Sequence, residues 1–195
     1  KYKFFVVLAG LGAGGVAALY NWLLGIAHQG MTENFRMNRL LMWIQPENYS
    51  SGIGYQTVQG LYAIGSGGLF GKGLGKSLQK LGFIPESQND MIFSIICEEL
   101  GLFGAMCIIL VFALMLWRII HIAQNAPDLF GTMLAAGVFA HVAVQVVLNI
   151  AVVTNFITNT GVSLPFISYG GTASFFLLLE MGIVLNISSK IRLER

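Results

Sequence analysis

Leu100 to Trp117 reads LGLFGAMCIILVFALMLW, eighteen residues with no Asp, Glu, Lys, Arg or His. At 1.5 Å per helical residue the run is about 27 Å long, close to the roughly 30 Å hydrocarbon core of a bilayer. With the apolar residues before it, interrupted by Glu98 and Glu99, it makes a membrane span over about 91–117. On its C-terminal side, Leu129 to Leu179 again carries no Asp, Glu, Lys or Arg. That is too long for one helix, and polar residues cluster with Gly161 and Pro165 between 155 and 165. Two further spans follow, about 130–154 and 166–188. On the N-terminal side, Phe4 to Ala27 is uncharged and gives a fourth, about 4–27. The expected fold is an all-α polytopic membrane protein with four spans and a large loop over 28–90.

Composition agrees. Of 195 residues, 55% are hydrophobic and 10% charged, with mean hydropathy +0.72, against about 25% charged in a soluble domain. These figures exclude a disordered chain, a nucleic-acid binder and an ordinary cytosolic enzyme. A formal charge of +2 is too small to steer a polyanion. Cys97 and Cys107 both lie in apolar surroundings and imply no disulfide framework. The chain starts with Lys1, and its first apolar run does not have the layout of a signal peptide. It reads as the later part of a longer protein.

Basic residues near span ends set orientation. Lys1 and Lys3, Arg118, and the cluster Lys190, Arg192 and Arg195 fall on one side if the chain alternates. Both ends and the 118–128 turn are therefore expected in the cytoplasm, and the 28–90 loop outside. Its cations Arg36, Arg39, Lys72, Lys76 and Lys80 are tolerable there because long loops are weak topology determinants.

Nine of the 20 formal charges, Glu33 to Asp90, lie in that loop. Loops this long are usually functional or disordered, and this one contains Trp43, Tyr49, Tyr55, Tyr62, Phe70 and Phe83. Residues 33–44 resemble a short amphipathic helix at the membrane interface. Further on, Gly65-Ser-Gly-Gly-Leu-Phe-Gly71-Lys72-Gly73-Leu-Gly75-Lys76-Ser77 has glycines and lysines. It is not a nucleotide P-loop, because Phe70 stands where that pattern needs glycine and no strand precedes it. Two readings remain open: exposed N–H groups with Lys72, Lys76 and Lys80 holding a phosphate or pyrophosphate, or a tight glycine-packed re-entrant turn.

Asp90 directly precedes the 91–117 span, where a carboxylate can cap the helix or do chemistry at the membrane boundary. Glu98, Glu99 and Glu180 are acids within spans, and intramembrane acids face protein, water or a partner. His141 is the expected hydrogen-bond partner of Glu180.

Five ordered motifs carry a family resemblance: Gly54-Tyr55-Gln56, Ala63 to Gly75, Pro85-Glu86-x-x-x-Asp90-x-Ile-Phe93, Glu98-Glu99-Leu-Gly101 and Leu164-Pro165-Phe-Ile-Ser168-Tyr169-Gly170-Gly171. The chain resembles the FtsW, RodA and SpoVE family, the shape, elongation, division and sporulation (SEDS) proteins. That resemblance implies a ten-span bundle in the bacterial plasma membrane, of which these would be the last four spans. It implies polymerisation of lipid II (undecaprenyl-pyrophosphate-linked disaccharide peptide) into glycan strands beside a class B penicillin-binding protein. It places the catalytic carboxylate on Asp90. Glu86 would orient the acceptor or bind a cation, and Lys72 and Lys80 would contact the pyrophosphate. Gln56 and Ser168 are further substrate-site candidates. A divalent cation, Mg or Mn, would serve the same leaving group. Membrane lipids are expected partners and nucleic acid is not.

Asn155 and Thr158 replace a Gly and a Pro usual in the family, Met91 an aromatic, and Glu180 a small or apolar residue. Two rival functions follow from the same residues: a lipid II flippase using Glu180 and His141, and a non-catalytic scaffold for the penicillin-binding protein.

Overall fold

The run Leu100–Trp117 lies within one helical element, broken at Gly101, of a computed structural model that describes residues 18, 21, 22, 25, 35–49, 53–81, 84 and 87–191. The structure is helical, with no strand among the described residues. It divides into two units, residues 1–58 and 59–195.

In the first unit, helix α1 spans Phe35–Ile44 and a 3-10 turn spans Pro46–Tyr49. The expected amphipathic segment is therefore helical, with Leu41 fully buried and Arg39 exposed. It stops where it does because Pro46 disfavours helical geometry at Gln45, whose N–H still closes the last turn on Leu41 O at 2.9 Å. Helix α2, Ile53–Gly67, begins here and ends in the second unit. The expected span 4–27 lies outside the described residues except for four helical positions.

The second unit holds three long helices: α3 over Ile92–Gln124, α4 over Leu129–Val153 and α5 over Gly171–Ser189. All three are long and apolar enough to cross a membrane, with mean hydropathy up to 2.6, 2.1 and 1.5. They overlap the expected spans 91–117, 130–154 and 166–188, but α3 continues to Gln124, through most of the turn expected over 118–128. The third starts later than expected because Pro165–Tyr169 forms turns. α3 and α4 are joined by a four-residue turn, and Asp128 caps α4 by accepting from Gly131 N at 3.3 Å. A valine row at helical spacing on α4 (Val138, Val142, Val146, Val153) forms one core with Phe112, Ile119 and Ile122 of α3 and Leu177 and Val184 of α5. The outward faces carry Leu110, Val111, Leu114, Val144, Val147, Leu178 and Leu185. Helices apolar on every side suit a lipid surround.

α3 is broken at Gly101, whose backbone is left-handed in φ (φ 68°, ψ −170°). In an unbroken helix the carbonyls of Glu98 and Glu99 would accept from Leu102 and Phe103. Instead they accept from Lys72 N and Gly73 N, each at 2.9 Å. The orphaned N–H groups of Leu102 and Phe103 donate to Gly68 O at 2.9 Å and Leu69 O at 3.1 Å. The glycine-rich loop thus supplies four backbone bonds across the break. Irregular backbone at membrane depth is tolerated only when protein or water satisfies it this way. The loop is a tight glycine-packed turn, a backbone arrangement compatible with its lysines holding an anion.

Gly71 shows why glycine is required. A Cβ there would overlap the carbonyl of Glu99, and its φ is +76°. We expect Gly71→Ala to detach the loop from α3. Gly75→Ala meets nothing within 4 Å and loses only the roughly 1–2 kcal/mol of a left-handed alanine. Protease nicking between residues 68 and 81 separates the two cases. Equal resistance in both variants would contradict this packing.

His141 and Glu180 meet as anticipated, Nδ1 lying 3.0 and 3.1 Å from the two carboxylate oxygens across α4 and α5. Interhelical polar contacts in membranes average about 0.6 and reach about 1.7 kcal/mol. Glu180→Gln should lose stability in that range in a detergent unfolding titration. The double change His141→Leu with Glu180→Leu should recover it, because both polar groups go together. A double variant weaker than either single change would show that the pair does more than pack.

Candidate functional site

Two adjacent acids of α3 organise the site, and they point to different places. Glu98 is completely buried. Its Oε1 accepts from Lys72 Nζ at 2.7 Å, and from Ser66 Oγ and Leu78 N at 3.4 Å. Its Oε2 accepts from Ser77 Oγ at 2.5 Å and Gln79 N at 3.4 Å. Lys80 N donates to Ser77 Oγ at 3.1 Å, extending the network along the loop. A buried carboxylate is stable only when its lone pairs are filled by good partners, and here five donors fill them. Glu99, one residue on, faces Lys80 Nζ at 3.5 Å and is 12% exposed.

Lys72 and Lys80, expected to hold a pyrophosphate, are therefore each turned toward an acid. Lys76 is different: it sits at the exposed tip of the loop, and its ammonium has no acidic partner among the described residues. Reading the lysines by sequence could not separate these roles, because the acids that claim two of them lie about 20 positions away.

Asp90 lies in the turn 87–91, one residue before Met91, the residue at the N-cap of α3. Met91 itself makes no side-chain cap bond. The turn is held from outside. Asn149 of α4 donates through Nδ2 to Asp90 O at 2.8 Å and to Val162 O at 2.7 Å, and Tyr169 N donates to Gln88 O at 2.8 Å. Asn149 is buried and was missed from sequence. Two amides at helical spacing within a charge-free span, Gln145 and Asn149, were the signal that could have found it. Ser168 shapes the 161–170 loop: its Oγ accepts from Leu164 N at 2.7 Å and its N–H donates to Leu164 O at 3.0 Å. Gln56 lies on α2 in the first unit, and Glu86 lies outside the described residues.

Two depressions flank the Asp90 turn. One, about 510 Å³, lies between the glycine loop and the first turns of α3. The other, about 410 Å³, lies between the turn and the start of α5 and is lined by Ser168 and Tyr169. Gln88 and Ile92 belong to both. As for a divalent cation, no three His, Cys, Asp or Glu side chains converge among the described residues. Glu98 and Glu99 each face a lysine, so they do not make a donor set for one.

The family model for the FtsW, RodA and SpoVE proteins, described as cell cycle proteins, matches residues 2–193. The chain belongs to this family. It is a multi-pass bacterial membrane protein. It is 45% identical over 166 residues to stage V sporulation protein E of Bacillus subtilis, covering 85% of this chain and 45% of that protein. It is 43% identical over 159 residues to a probable peptidoglycan glycosyltransferase FtsW of Trichlorobacter lovleyi, covering 82% and 42%. The chain thus spans less than half the length of these relatives. Two solved structures share the fold. A chain from a structure titled as the coordination of polymerization and crosslinking by a peptidoglycan synthase complex matches with TM-score 0.63 and 21% identity, over 93% of this chain and 49% of that one. A mutant of the rod shape determining protein RodA of Thermus thermophilus matches with TM-score 0.52 and 22% identity, over 90% and 65%.

Proposed function

We propose that this family member takes part in peptidoglycan glycosyl transfer, joining lipid II units into glycan strands, with Asp90 as general base. The observation that carries the reading is that Gln88 and Ile92, two residues to either side of Asp90, line two depressions at once. Each has the volume of an ordinary small-molecule site. The names of the relatives, several of them probable peptidoglycan glycosyltransferases, point to the same chemistry.

In this reading a sugar hydroxyl of the acceptor gives its proton to the Asp90 carboxylate while its oxygen bonds to the anomeric carbon of the donor. The bond from that carbon to the pyrophosphate oxygen breaks, and the lipid pyrophosphate leaves with the electron pair. The Lys76 ammonium is the loop cation open to that developing charge. Lys72 and Lys80 shape the loop through Glu98 and Glu99. Glu86 would orient the acceptor and Ser168 would complete the substrate surface, with Gln56 a separate substrate-site candidate in the first unit. The partner would be a class B penicillin-binding protein, with the C-terminus in the cytoplasm. The test is polymerisation of lipid II by the whole protein with that partner, comparing Asp90→Asn with the unaltered protein. Polymer formation at the normal rate by Asp90→Asn would end the proposal.

A further inference from the structure

The four backbone groups at the break of α3 have two complete sets of partners. With Gly101 left-handed in φ, Glu98 O and Glu99 O accept from Lys72 N and Gly73 N, while Leu102 N and Phe103 N donate to Gly68 O and Leu69 O. With Gly101 helical, the regular spacing pairs Leu102 N with Glu98 O and Phe103 N with Glu99 O. The groups that the loop satisfies are therefore the ones that satisfy each other once the loop leaves. Releasing the loop orphans none of these four groups. On the loop side, the groups set free belong to Gly68, Leu69, Lys72 and Gly73, all of them already exposed or half-buried.

Glycines keep both arrangements available. Gly101 takes either backbone geometry because it has no Cβ; its present φ and ψ lie in a region essentially confined to glycine. A Cβ at 101 would overlap Gly71 N and the Leu69 carbonyl, and one at Gly67 or Gly71 would overlap the carbonyl of Cys97 or Glu99. A side-chain lock then holds the docked arrangement: Glu98 takes Lys72 and Ser77, and Lys80 faces Glu99. We propose that α3 is a two-state element, broken when the glycine loop is docked and continuous when the loop is released. The element gates the larger depression, a groove with Leu74 and Lys80 of the loop on one side and Ile92, Ile96 and Leu100 of α3 on the other. Release removes the loop wall and re-aims the half of α3 that follows the Asp90 turn. The proposal concerns access to the groove and stands whether or not Asp90 acts as a base.

The test uses the whole protein in detergent and turns on the sign of one substitution. Alanine is favoured over glycine inside a helix and penalised in the geometry Gly101 now holds. Alone, Gly101→Ala should release the loop, raising protease nicking between residues 68 and 81 at least tenfold. In a Gly71→Ala background the loop is already off and α3 continuous. Adding Gly101→Ala there should raise the thermal unfolding midpoint and leave nicking unchanged. A lower midpoint means that the break persists without the loop, and the proposal falls. Gly67→Ala is the second background, and gives the same sign if Gly71→Ala does not fold. Hydrogen exchange supplies an independent readout. In Gly71→Ala the amides of Lys72 and Gly73 should exchange at least tenfold faster, while those of Leu102 and Phe103 keep their protection by pairing within α3. Faster exchange at all four amides, or at none, overturns the proposal. So does a Gly101→Ala protein that fails to fold or whose loop resists protease as before.

Discussion

Asp90→Asn should lower lipid II polymerisation by about 10²–10⁴-fold, the span general acid–base groups contribute. The substitution keeps size and hydrogen-bonding capacity but removes the site that takes the acceptor's proton. Two bonds that hold the turn run through backbone atoms, Asn149 bonding Asp90 O and Tyr169 N bonding Gln88 O, and both survive the substitution. Glycan strands resolved on a gel give the rate. A thermal unfolding curve in detergent, unchanged from the unaltered protein, shows that the fold is retained. An inactive but unfolded variant would instead assign Asp90 a structural role. An Asn149→Leu variant separates the two contributions, since it should loosen the turn without touching the base.

The second large effect is at Glu98. Glu98→Leu leaves the Lys72 ammonium, the Ser77 hydroxyl and two loop N–H groups without their acceptor. Lys72 is a third exposed and can turn to water, so the loss is that of the buried Ser77 hydroxyl and loop N–H groups left without an acceptor, about 1–3 kcal/mol. The loss should be concentrated in the loop. The amides of Lys72 and Gly73, bonded to Glu98 O and Glu99 O, should exchange hydrogen much faster, while those of α4 between 135 and 150 keep their protection. Lys72→Met combined with Glu98→Leu should regain part of the stability, because the two charges disappear together. Unchanged protection of Lys72 and Gly73 in Glu98→Leu would mean that the backbone bonds alone hold the loop. Activity should fall with the loop, since Lys76 and the groove wall at Leu74 both ride on it.

The three long helices were legible because charge, length and hydropathy act locally. A charge-free run of twenty residues has few alternatives to a helix in lipid. The start of α5 was not: Phe166–Tyr169 read as helix-compatible by hydropathy but turns, with Phe166 at φ +63° and Ser168 bonding back to Leu164. The break at Gly101 was equally hidden. Its glycine sits in an apolar helical pattern, and only the loop arriving with four backbone bonds makes the left-handed geometry favourable.

The candidate site divides along the same line. The residue types were visible: an acid at the membrane boundary, glycines with lysines, and Glu98-Glu99 within a span. Their assignments were not. Adjacent residues on a helix point about 100° apart, so one glutamate is sealed into the loop network while its neighbour faces a groove. Which lysine stays open then depends on a loop path set by glycines in left-handed geometry. By itself the sequence determined that this protein lives in a membrane, where its helices run and to which family it is similar, since these follow from properties summed along the chain. Only the tertiary structure decided that Lys72 and Lys80 hold the loop while Glu99 opens to a groove. A charged group's role is set by whichever counter-charge reaches it first in space, and that counter-charge lies some 20 residues away in sequence.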